Sequence, residues 1–100
     1  MGYDLHVTRK SSWADEDGPE ISLEEWLAYA ASDSEVLPDL ENAGRENWTI
    51  KLPEGTWPLW WDSRGELVTK NPDPPAIAKL VRIASALSAR VLGDDDEIYN

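Results

Sequence analysis

WTIKLPEGTWPLWWDSRGELVTK, residues 48–70, decides the fold. Trp48, Ile50 and Leu52 alternate with Thr49 and Lys51, the period-2 pattern of a strand with one buried face. Pro53-Glu54-Gly55 ends that strand. Trp57, Leu59 and Trp61 then alternate with Pro58 and Trp60 to give a second. Proline cannot donate to a β-ladder, so Pro58 places this strand at an edge or makes its start irregular. Asp62-Ser63-Arg64-Gly65 is a turn with glycine available for a left-handed position, and Glu66 to Lys70 returns as a third strand.

Two helices flank this block. On its N-terminal side, Ser22 and Glu25 form an S-x-x-E capping box, with Ile21 and Trp26 placed for a hydrophobic staple. Leu23, Trp26, Leu27 and Ala30 fall at i, i+3, i+4 and i+7, so a helix over 22–32 has one apolar face. On the C-terminal side, Asp73 as N-cap and Pro74 at the first helical position start a helix over 75–89. Its apolar face is Ile77, Leu80, Val81, Ala84 and Leu87. At the N-terminus, Tyr3, Leu5 and Val7 alternate with Asp4, His6 and Thr8 as a further strand. Residues 33–47 read as a polar loop with a short helical turn. Arg90 to Leu92 resumes as a strand, and Glu97 to Tyr99 can pair back on it. The order β-α-β-β-β-α-β predicts one α+β domain over residues 1–100, with two helices on one face of a mainly antiparallel sheet. A split βαβ arrangement, ferredoxin-like with one extra strand, is the expected topology.

Composition narrows the function by exclusion. The 100 residues carry 20 acids and 9 bases, a net charge of −11. Phosphate binding needs clustered lysine and arginine, so nucleic acid is excluded as a partner, and an anionic membrane is disfavoured by the same repulsion. The chain has no cysteine, which removes disulfides, thiolate metal sites and cysteine nucleophiles. Neither a secretory signal nor a membrane-spanning apolar run is visible, and a cytoplasmic protein is expected.

No catalytic motif emerges. The single His6 has Ser11 and Ser12 near it in sequence but no nucleophile motif, and reads as a sheet-face residue; an enzyme using His6 with a nearby carboxylate is a third reading. Asp94-Asp95-Asp96 lacks the ligand spacing of a cation loop and reads as a solvated turn, so no metal and no cofactor is expected. The six tryptophans are less ordinary. Alternation puts Trp60 on the face opposite Trp57 and Trp61, where it is available to a partner. Residues 15–46 hold eleven acids and one base, Arg45, a net of −10. Charge so one-sided steers a basic partner. The expected contact residues are Glu24, Glu25, Asp33 and Glu35 for steering, with Trp60 and Asp62 as anchors, on a monomer or weak dimer. The alternative is a small carbohydrate- or ligand-binding domain that uses Trp57, Trp60 and Trp61.

YDLHVTRK with Trp13, ISLEEWLAYAASD, WDSRGELVTKNPD and ARVLGDDDEIY together resemble a family of small acidic bacterial proteins. Such proteins are similar in build to the immunity proteins of polymorphic-toxin and interbacterial competition systems. The resemblance implies a non-enzymatic protein that binds a cognate toxin in the producing cell and blocks its active site or substrate entry. Its motifs are caps, turns and strand alternation, so it transfers no toxin-contact residue.

Overall fold

The computed structural model describes residues 3–99. In chain order it holds β1 (Asp4–Thr8), α1 (Leu23–Ser32), β2 (Val36–Pro38), β3 (Asn47–Leu52), β4 (Gly55–Asp62), β5 (Glu66–Lys70), α2 (Pro74–Ala86), β6 (Arg90–Gly93) and β7 (Ile98–Tyr99). The strands form one sheet of order β2-β3-β4-β5-β1-β6-β7, and every pairing is antiparallel. Its four central strands, β6-β1-β5-β4, with α1 between β1 and β4 and α2 between β5 and β6, make the expected split arrangement. Three strands extend it rather than one: β2 and β3 on one side, β7 on the other.

Register sorts the side chains between two faces. Leu5, Val7, Leu67, Val91, Leu59 and Ile50 point to the side that both helices cover. There they pack with Trp26 and Ala30 of α1 and with Leu80, Ile83 and Ala84 of α2. The capping box of α1 forms as expected, with Ser22 Oγ accepting from the Glu25 amide and the Glu25 carboxylate accepting from the Ser22 amide. Ile21 and Trp26, the staple pair, are both fully buried. Ile21 also fixes where α1 starts: its amide donates to Gly65 O, and its carbonyl accepts from Trp61 Nε1, each at 2.9 Å. Gly65 makes this approach feasible. It sits at φ +80° in the β4–β5 turn, and a Cβ there would stand 2.2 Å from Glu20 Cβ.

Segment 33–47 departs from expectation by containing β2. After α1, Asp33 turns the chain by accepting from the Glu35 amide through Oδ1 and from the Val36 amide through its carbonyl. The three-residue strand that follows has one buried side chain, Val36, too little for an alternation to register.

Candidate functional site

The second face of the sheet carries no helix. His6 and Thr8 come from β1, Glu66 and Val68 from β5, Trp60 and Asp62 from β4, Asn47 and Thr49 from β3, and Leu37 from β2. His6, Val68, Trp60 and Asn47 form one row across four strands. Trp57 and Trp61 project to the helix-covered side, as alternation predicts. The three tryptophans therefore do not share a surface, and the aromatic platform of the carbohydrate reading is not formed.

One end of this face is closed by a charged cluster. His6 Nδ1 lies 2.9 Å from Glu66 Oε1, and Nε2 lies 3.0 Å from Asp94 Oδ1. A carboxylate at each nitrogen calls for the doubly protonated imidazolium. Burial alone would push the histidine pKa down, but the two carboxylates outweigh it and raise it above the ordinary 6.5. In return, the His6 hydrogen bond holds the Asp94 carboxyl below its ordinary range, helped by the Asp4 amide. Glu66 also faces a second cation, with Arg64 Nη2 3.2 Å from its Oε2. That approach lies off the N–H directions, so Oε2 accepts no hydrogen bond.

Trp13 seals the cluster. Its ring stacks on His6 at 4.1 Å with only 4° between the planes, and the Arg64 guanidinium lies 5.3 Å from the ring centre. The loop carrying Trp13 is held to the β6–β7 turn by hydrogen bonds from Trp13 Nε1 to Asp94 O, from the Trp13 amide to Asp96 Oδ1 and from Ser12 Oγ to Asp96 Oδ2. His6 is thus 3% exposed, with no free ring nitrogen for proton abstraction or metal ligation. The acids of the turn diverge: Asp94 serves His6, Asp96 serves the Trp13 loop, and Glu97 folds back to the Asp95 amide. Among the described residues, no group of three or more His, Asp or Glu side chains is placed to hold a metal ion.

The expected steering residues fare unequally. Glu24 is exposed and unpaired among the described residues. Glu25 is gripped by Arg9 through two hydrogen bonds of 3.0 and 2.7 Å, which with the Ser22 amide hold its carboxyl down at about 2. Asp33 and Glu35 both contact Lys79 Nζ at 2.7 Å. Tyr29 also donates to Asp33 Oδ2, at 2.5 Å. Burial and the Asp33 carboxylate push the Tyr29 hydroxyl well above its ordinary range. Three of the four carboxylates are thus each paired with a cation of the chain itself, Glu25 with Arg9 and Asp33 and Glu35 with Lys79. Trp60 is half-buried on the helix-free face, and Asp62 shares that face with its Oδ1 engaged by the backbone amide and Nε of Arg64.

Sequence reasoning overlooked Glu66 and Asp94 as partners of His6 because they lie 60 and 88 positions away, and Trp13, only seven positions on, because it sits in a loop with no period to place its ring. One local signal was present: a glutamate in phase with Val68 on a short strand bounded by a turn. Comparison with protein-family models, with curated proteins and with solved structures finds no match.

Proposed function

We propose that this chain is a non-enzymatic binding protein of the bacterial cytoplasm that neutralises a basic partner, in the manner of an immunity protein masking a cognate toxin. The observation that carries the reading is the helix-free sheet face with Trp60 on it. Trp60 lies outside the apolar core, on a rigid strand, with Asp62 two residues further along the same face. A half-exposed tryptophan on a preformed surface is a strong anchor for a protein partner. A net charge of −11 accelerates encounter with a basic one and makes that rate salt-dependent. Glu24 is the expected steering residue that remains free, while Glu25, Asp33 and Glu35 contribute only to the long-range field. No helix among the described residues is long and apolar enough to cross a membrane.

The test is coexpression with the product of the gene adjacent to its own. Growth arrest by the neighbour alone, relief by this chain, and loss of relief with Trp60→Ala are the expected results. A harmless neighbour, or toxicity that the chain does not relieve, rejects the reading.

A further inference from the structure

The helix-free face ends at β2 in a groove of about 430 Å³, lined by Leu37, Pro38, Leu40, Thr49, Lys51 and Thr56 with Asp39 and Glu41 at its rim. Two leucines there face water: Leu37 is 40% exposed and Leu40 is 94% exposed. Neither belongs to the core. An isolated exposed leucine is ordinary, but two lining one groove at a sheet edge mark a contact surface.

The edge itself restricts the occupant. Lys51 N donates to Glu35 O, and Asp39 N donates to Asn47 O. Alternation therefore turns Glu35, Leu37 and Asp39 inward to β3, and Val36 and Pro38 outward. The outward-facing residues offer no donor, because the Val36 amide is bonded to Asp33 O at 3.1 Å and proline has no N–H. What β2 presents outward is the two carbonyls of Val36 and Pro38. Beside them Asp39 already accepts from the Glu41 and Asn42 amides and the Asn42 side chain, which leaves the Glu41 carboxylate as the acceptor open to a partner. Every one of these groups is an acceptor. A second copy of this edge would set acceptor against acceptor and bring two chains of −11 together.

We propose that this groove seats an extended segment of the basic partner in which an arginine lies between apolar side chains. This deepens the binding reading and rests on it for the partner's charge. The apolar side chains cover Leu37 and Leu40. The guanidinium supplies several donors in a planar fork to the Pro38 carbonyl and to Glu41, both of which line the groove, a geometry that a single ammonium cannot match. Lys51 opposes the cation at the far end of the groove, so the arginine sits toward the Asp39–Glu41 end.

The probe is acetyl-Leu-Arg-Leu-amide, titrated into the isotope-labelled chain and followed by amide chemical shifts. Saturating shifts confined to Leu37, Leu40, Thr49, Lys51 and Thr56 are expected, and much smaller ones with acetyl-Leu-Glu-Leu-amide. Glu41→Gln weakens the arginine peptide by about threefold and Lys51→Ala strengthens it by a similar factor, as exposed charge pairs do. Leu40→Ser, at a site too exposed to threaten folding, also weakens it. Absent shifts, shifts elsewhere, or equal shifts with the glutamate peptide overturn the proposal. Peptide binding in this groove without relief of toxicity leaves the groove standing and the immunity reading lost. Relief that needs Trp60 but neither Leu40 nor Glu41, with no peptide shifts, gives the reverse.

Discussion

At the scale of single residues, His6 and Lys79 show how an acidic chain uses its few cations. Each sits buried between two carboxylates, so each converts repulsion into internal structure. The folded pKa of His6 is raised above the ordinary 6.5. Its contribution is therefore complete below pH 6.5 and disappears as pH rises through the folded value. Asp94 acts in the opposite sense: its carboxyl is held below 3.8, so its contribution is present above that pH and lost on acidification. Urea titrations from about pH 5 to pH 9 should show stability falling on the alkaline side, and His6→Gln should flatten that slope. A slope unchanged in the variant would assign the titration to another group. Lys79 touches Asp33 and Glu35 at 2.7 Å with its side chain 7% exposed. Lys79→Met strands the largely buried Asp33 without a cation, and a loss of about 3 kcal/mol in urea unfolding is expected. Asp33→Asn made together with Lys79→Met should recover part of it.

At the scale of elements, the helices and the 47–70 meander were legible because their signals are local. A capping box, a 3.6-residue apolar period and a two-residue alternation each occupy a dozen positions or fewer. Ser22→Ala should cost about 1 kcal/mol, read by chemical denaturation, because it removes the one side-chain acceptor at the Glu25 amide. The side of the sheet that Trp60 faces was legible from the same alternation. Strand β2 was not, since three residues with a single buried side chain carry no period and Pro38 argues against a strand. The His6 cluster was hidden for another reason: Glu66 and Asp94 lie 60 and 88 positions away. The free carboxylates were also hidden, because Arg9 and Lys79 select their partners through tertiary contacts. Pro38 itself has a role at this scale. Pro38→Val restores an outward N–H to the edge, and sedimentation or light scattering should then detect self-association that the parent chain lacks.

At the scale of the whole molecule, the net charge of −11 sets a repulsive background that the internal pairs only partly offset. Screening should relieve it. Raising sodium chloride from about 0.02 to 0.5 M is expected to increase the melting temperature, since the Debye length falls well below the spacing of surface charges. A melting temperature that drops would mean that exposed ion pairs matter more than the background. The placement of β1 bears on how the chain reaches this state at all. β1 precedes the other described strands in the chain and lies inside the sheet, yet Leu5 lies opposite Thr69, and Val7 opposite both Leu67 and Val91. Those partners follow their β1 residues by 60 positions or more. Until they are in place β1 is an unpaired strand with both edges open, while α1 and the β3–β4 hairpin have their local contacts available. Such long-range closure slows folding, and it makes β1 the segment most in need of protection while the chain folds.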